Sequence, residues 1–345
     1  MKKQASTIFG MSHVKSVVLA VFLFMLLGAA PFLTRSHGQS DGGTVNRQAA
    51  PAGVVTSSKN PLQIALLHWY NANLVTQFTA GSAPFGVAFD GANIWVALNG
   101  KDKVVKLRAN DGFNLGSFAV GTSPTGVAFD GANIWVANIN SNNVTKLQAS
   151  TGAVLGTFTV GTQPVGICFD GTYIWVANDG SDNVTKMQVS NGAILGTFAA
   201  GTYPAAVAFD GTNIWVVNNG SNNVTKMSTS GVTLGTFTVG SLPSGIAFDG
   251  TYMWVANYGS NNVTKLSLSG GVVGTYAAGA GPESIVYDGA NIWVTDFNST
   301  NVTKLLATTG ATISTFTAGV EPNGIAFDGA NIWVANFGGT TVSKL

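Results

Sequence analysis

The chain reads as an all-β, seven-bladed β-propeller with four antiparallel strands per blade, and three observations lead there. A unit of about 40 residues recurs almost to the last residue, marked by Pro84, Pro124, Pro164, Pro204, Pro243, Pro282 and Pro322, which are 40, 40, 40, 39, 39 and 40 residues apart. Each unit resolves into short strands parted by turn residues, the sign of a propeller at this period. Charged residues make up only 9% while glycine numbers 44, which fits a turn-rich β protein; helical periodicity is absent from the repeats.

The repeat from Pro124 to Gly161 shows how each strand is specified. Gly126 to Phe129 is apolar and ends at Asp130-Gly131, a dipeptide that tolerates the positive φ of a tight hairpin. Ile134 to Ala137 follows, apolar on both faces, as a strand enclosed by neighbours must be. Asn138 to Asn142 is a turn-forming loop. Asn143 to Leu147 is a more polar strand, Ser150-Thr151-Gly152 turns the chain, and Thr157 to Val160 alternates polar and apolar like a strand with one wet face. The small residues of the first strand suit crowding near the axis, so the first strand is read as innermost and the fourth as outermost.

Residues 1–40 read as an export signal, with Lys2, Lys3 and Lys15 ahead of an uncharged run from Val17 to Ala30. Fourteen residues suit a signal h-region better than a membrane span, which needs about 20; an uncleaved anchor is the alternative. Residues 41–72 read as a linker that carries a short apolar segment at 61–70, and residues 73–345 as the propeller. This places the protein outside the cytoplasm: extracellular, on the cell surface or periplasmic. The lone Cys168 replaces an inner-strand alanine and reads as an inert thiol.

The final repeat stops after its third strand, at Leu345, while a stray fourth strand, Leu74 to Gly81, precedes Pro84. Adding the N-terminal strand to the C-terminal blade completes seven blades and leaves no unpaired edge in the last.

The proline, the F-D-G turn, I-W-V-A-N, S-N-N-V-T-K and the closing T-F-x-x-G resemble the YVTN family of β-propeller repeats over residues 73–345. That resemblance implies an exported or cell-surface seven-bladed propeller. A looser similarity runs to the virginiamycin B lyase and gluconolactonase propellers, and it implies a metal held by acidic residues, with a histidine in the lyase-like group. The chain's histidines, His13, His37 and His68, all precede the first blade.

The repeated residues read mostly as structure. The seven tryptophans of the second strand (Trp95, Trp135, Trp175, Trp215, Trp254, Trp293 and Trp333) read as inter-blade core, the aspartates of the Asp-Gly turns as hairpin formers, and the third-strand lysines as solvated residues protecting the outer strands. Asn-Val-Thr recurs at Asn143, Asn183, Asn223, Asn262 and Asn301; each is a glycosylation sequon, better explained as a loop-to-strand junction. Between residue 73 and the end, 14 acidic residues face 10 basic ones, a net charge of −4, so no nucleic-acid footprint exists. No histidine-based triad is available there, no glycine fingerprint for a cofactor occurs, and no cofactor is expected.

Functional residues are sought where the repeats differ. Chain reversal places the proline loops and the loops after V-A-N on one face, and the Asp-Gly turns on the other. The Asp-Gly face is nearly uniform while the proline face varies. Tyr258, Phe297 and Phe337, from blades five to seven, lie with Glu283, Asp296 and Glu321, and this sector is the expected ligand-binding site for an extracellular glycan or peptide. The expectation is a monomeric, non-catalytic binding or scaffold propeller, touching membrane only through an N-terminal anchor. The alternatives are a metal-dependent lactonase or lyase, with Glu283, Asp296 and the neighbouring asparagines at the channel mouth around a hard cation, and a self-assembling surface-layer component.

Overall fold

The computed structural model describes residues 76–345; the export signal, linker and 61–70 segment expected from the sequence lie outside the described residues. Seven four-stranded antiparallel sheets follow one another, six of them running in chain order from inner to outer strand. The inner strand of each blade packs on those of both neighbours, and the first, Pro84–Phe89, packs on the last, Pro322–Phe327, which closes the ring. The seventh blade is completed as the sequence predicts: Gln77–Thr79 pairs antiparallel with Thr341–Lys344. Among the described residues the only helical element is one 3-10 turn, Asp179–Ser181, and no helix is long and apolar enough to cross a membrane.

The apolar gradient follows the predicted order. Second strands such as Asn133–Asn138 are buried over nearly their whole length, while outer strands such as Val154–Thr159 alternate exposed and half-buried residues. The tryptophans are core, as expected: six are fully buried and Trp293 is 6% exposed. Trp135 and Val144 of the second blade pack with Ile174, Val176 and Met187 of the third. At the closure, Trp333 and Phe78 pack with Ile94, Val96 and Leu107 of the first blade. Each tryptophan also meets an outer-strand aromatic ring of its own blade, as Trp135 meets Phe158 at 5.9 Å; such pairs contribute about 0.5–1.5 kcal/mol beyond area burial.

The Asp-Gly turns do more than reverse the chain. In the fourth blade, Asp210 Oδ1 accepts from the backbone N–H of Thr212 at 2.8 Å and of Asn213 at 2.6 Å, and Oδ2 accepts from Trp215 Nε1 at 2.7 Å. The same Trp-to-Asp bond occurs in all seven blades, at 2.7 or 2.8 Å. Burial alone raises the pKa of Asp210, but the donors from Trp215, Asn213 and Thr212 outweigh it and hold the carboxyl below its ordinary value. The sequon asparagines are junction residues: Asn143 Oδ1 accepts from Asn138 Nδ2 at 2.9 Å, and Asn183, Asn223 and Asn262 do the same in their blades.

The third-strand lysines depart from expectation. They are not solvated guards of the outer strands. Lys106, Lys146 and Lys265 are buried, and each repeated lysine lies over the tryptophan that is its cross-strand partner, as Lys226 lies 5.2 Å from the Trp215 ring. The ammonium then crosses to the next blade: Lys106, Lys146, Lys186, Lys226 and Lys265 each donate at 2.7 Å to a backbone carbonyl there. Lys344 makes the same crossing over the closure, to Ala109 O at 3.0 Å. The sequence could not reveal this, because the acceptor is a carbonyl some 40 residues away. The turn between third and fourth strands is fitted to its neighbour too: Gly152 has φ +78°, and a Cβ there would lie 2.0 Å from the Phe118 ring of the preceding blade. Cys168 is partly buried, and burial followed by the charge of Asp170 raises its thiol pKa, leaving it unreactive.

Candidate functional site

Two local features of the proline face decide which side chains reach the axis and which lie on the rim. The first is a bulge. In every blade the pairing of the first two strands loses register just after the proline, as between Pro282 and Ile285 or between Pro243 and Gly245. A bulge bends its strand and re-aims a side chain. The residues it turns are Phe85, Thr125, Val165, Ala205, Ser244, Glu283 and Asn323, and all but Thr125 line an axial cavity of about 200 Å³. The inner strands approach closely there: a Cβ on Gly245 would sit 2.5 Å from Glu283 O, so only glycine fits. Ser244 uses its hydroxyl to tie blades together, donating to Pro282 O at 2.8 Å and to Glu283 O at 2.9 Å.

The second feature is a left-handed residue before each proline. Ala83, Ser123, Gln163, Tyr203, Leu242 and Glu321 have φ between 47° and 54°, and Gly281 has φ 65°. In each case its carbonyl accepts the backbone N–H of the residue that follows the V-A-N position, at 2.8–3.1 Å: Tyr258 to Leu242, Phe297 to Gly281 and Phe337 to Glu321 are three of the seven. These bonds use backbone alone, so the side chains at both positions are left free.

Those free side chains form an aromatic arc. Tyr258 and Phe297 have ring centroids 6.2 Å apart, and Phe297 and Phe337 6.0 Å. The arc continues to Phe85 of the first blade, 5.8 Å from Phe337 and edge-on to it. All four rings are half-buried. Phe85 completes the arc although reading blades five to seven alone omits it; its signal was that blade one follows blade seven around the ring. Tyr258 Oη donates to Asn298 Oδ1 at 3.0 Å, which fixes its ring. Glu321 lies beside Phe337 through the backbone bond between them.

The two remaining acids part company. Glu283 projects into the axial cavity, where burial pushes its pKa up to about 7. Asp296 is fully buried and does not line the cavity. Its Oδ2 accepts from Thr303 Oγ1 at 2.7 Å and its Oδ1 from Gly279 N at 3.0 Å. Burial raises it to about 6, with the bonds from Thr303 and Gly279 opposing. The placement of Asp296 and the ring asparagines at the channel mouth is thereby corrected. Asn138, Asn178, Asn218, Asn257 and Asn336 are fully buried, and they bond to third-strand side chains, as Asn218 does to Thr225 Oγ1 at 2.9 Å. The donor set implied by the lyase-like resemblance is not met either. No histidine occurs in residues 76–345, and no group of three His, Cys, Asp or Glu side chains converges among the described residues.

Comparison with known proteins places the chain. A chain of hydrazine synthase from Kuenenia stuttgartiensis is similar to it with a TM-score of 0.70 and 19% identity, covering 77% of this chain and 96% of that one. A streptogramin B lyase is similar with a TM-score of 0.67 and 20% identity, covering 78% of this chain and 95% of that one. At such identities these likenesses show the propeller fold alone. The comparison with curated proteins finds no match. Residues 71–344 match the model of the Virginiamycin B lyase family. The match takes in every blade, and the chain belongs to the virginiamycin B lyase family.

Proposed function

We propose that this protein is an exported, non-catalytic binding propeller that recognises an extracellular glycan or peptide on its proline-loop face. The carrying observation is the arc of Tyr258, Phe297, Phe337 and Phe85, half-buried rings about 6 Å apart across four consecutive blades. Ring faces at that spacing offer apolar surface for the C–H face of a sugar or for peptide side chains, and Glu321 stands beside them as an acceptor for hydroxyl or amide protons. A screen of immobilised glycans and peptides with residues 41–345 tests the reading. Replacing Tyr258, Phe297 and Phe337 together by Ala should abolish whatever binding is found and leave the fold intact. Ligands held equally well by the triple variant would place the site elsewhere.

Family membership favours a second reading, a lactonase- or lyase-type enzyme. Metal analysis of the purified protein with a lactone ring-opening assay separates the two. Turnover together with stoichiometric metal would replace the binding reading, and the absence of both would remove the enzyme.

A further inference from the structure

We propose that the axial channel is a binding site for a small organic cation, an alkylammonium or guanidinium group, held by the Glu283 carboxylate. The site shares Phe85 with the aromatic arc but does not depend on a ligand there. Glu283 is the only ionisable side chain among the residues lining the cavity. Among the described residues, neither a hydrogen bond nor a neighbouring charge offsets the desolvation of its carboxylate. Glu283 is half-buried in the cavity, and a carboxylate withdrawn from water without a partner is costly unless a cation or a proton accompanies it.

The surroundings select the class of cation. Calcium takes six to eight oxygen ligands, among them carboxylates, and this lining offers a single carboxylate in mostly apolar walls. The walls are mostly glycine, valine, isoleucine and alanine, with the Phe85 ring at the same level of the ring as Glu283. An organic cation pairs one charged head with an apolar stem, and an aromatic wall attracts such a head as well. The space of about 200 Å³ has room for a side-chain-sized group together with several waters. Asn323 and Ser284, also in the lining, supply polar atoms beside the head.

The titration of Glu283 gives the site a pH signature. The cation prefers the ionised carboxylate, whose fraction grows as pH rises through about 7, so affinity should rise about tenfold between pH 6 and pH 8 and then level. The other ionisable groups on or next to the inner strands and their loops include Asp296, Glu321, Cys168, Tyr287 and the turn aspartates that follow each inner strand, Asp288 in the blade of Glu283. None lines the cavity, and Asp296 is engaged by Thr303 and Gly279.

The experiment is a calorimetric or NMR titration of the purified protein with n-butylammonium and n-butylguanidinium chlorides, with n-butanol as the neutral control. Wild type should bind the cations and not the alcohol. Glu283→Gln should weaken binding at least tenfold at pH 8 and abolish the rise from pH 6, with Tm unchanged or higher because a desolvated charge is removed. Glu283→Ala should behave alike, which covers misfolding of either variant. The Tyr258→Ala/Phe297→Ala variant should keep the cation, so failure of the arc and failure of the channel are told apart. No binding by wild type, equal binding by Glu283→Gln, equal uptake of butanol, or loss in the arc variant would each overturn the proposal. Calcium or magnesium binding that depends on Glu283 and exceeds butylammonium binding would overturn the choice of an organic cation.

Discussion

On the Asp-Gly face each blade repeats the same side chains, aspartate bonded to tryptophan and glycine at φ between 90° and 99°, whereas at two positions of the proline face, before the proline and after the ring asparagine, the backbone repeats and the side chains do not. Asp or Asn side chains nevertheless accept the N–H of the left-handed residue in five of these loops. The left-handed residue before each proline is alanine, serine, glutamine, tyrosine, leucine, glycine or glutamate, yet the bond it accepts is the same in all seven blades. The difference lies in what closes the loop. Where a side chain supplies the closing bond, as Asp210 does for Trp215 and two backbone donors, its identity is fixed. Where the backbone supplies it, the side chain is released to meet a ligand. Proline-face variation is thus permitted by the fold, and the aromatic arc and Glu283 occupy positions the fold leaves open.

The comparison can be broken most severely at the closure. Deleting residues 73–81 removes the strand that pairs with Thr341–Lys344 and the Phe78–Trp333 contact. Cooperative thermal unfolding, followed by calorimetry, should be lost or give way to aggregation; an unchanged Tm would show that the ring does not need this strand. Next in size is Asp210→Ala, which orphans the buried Trp215 Nε1 and two backbone N–H groups, and an unsatisfied buried donor costs about 1–3 kcal/mol. A comparable loss should accompany the same change at another Asp-Gly turn.

The carboxyls of Asp90, Asp130, Asp210, Asp288 and Asp328 also predict an acid limit. Burial opposes ionisation at each, but the tryptophan, asparagine and backbone donors prevail and lower the pKa. A lowered folded-state pKa contributes stability that is complete above the unfolded value, about 3.9, and disappears as pH falls through the folded value. Tm should therefore drop below about pH 4, and in Asp210→Ala that drop should be shallower. A smaller effect is expected of Lys226→Met, which loses the bond to Leu268 O and the contact with Trp215; urea denaturation should register about 1–2 kcal/mol, and a neutral result would make these crossings ornamental to stability. The smallest belongs to the proline face. Tyr258→Ala should cost less than about 1 kcal/mol, because its ring is half-exposed and the loop is held by the backbone bond to Leu242 O. A loss as large as that of Asp210→Ala would erase the contrast between the faces.

What the residues determine alone is everything that closes within one repeat or is fixed by counting the repeats. The period, the Asp-Gly hairpins, the doubly apolar second strand, the buried tryptophans and the strand borrowed from the N-terminus are local or periodic features, legible because neighbours 3 to 40 residues apart carry matching signals. The variable positions of the proline face were legible too, by comparing the repeats. The direction in which each of those side chains points was decided only by the tertiary structure. Asp296 and Glu283 are both acids near one strand end, but a bulge set by the crowding of seven inner strands turns Glu283 to the axis, while Asp296 stays in regular pairing opposite Asn301 and bonds inward to Thr303. The lysines bridge blades, and Phe85 joins Phe337, because ring closure sets beside them groups that the chain holds about 40 or more than 200 residues away. The lysines recur with the period, but the period does not name their partner, which is a backbone carbonyl of another blade, and Phe85 carries no repeat signal of its contact with Phe337.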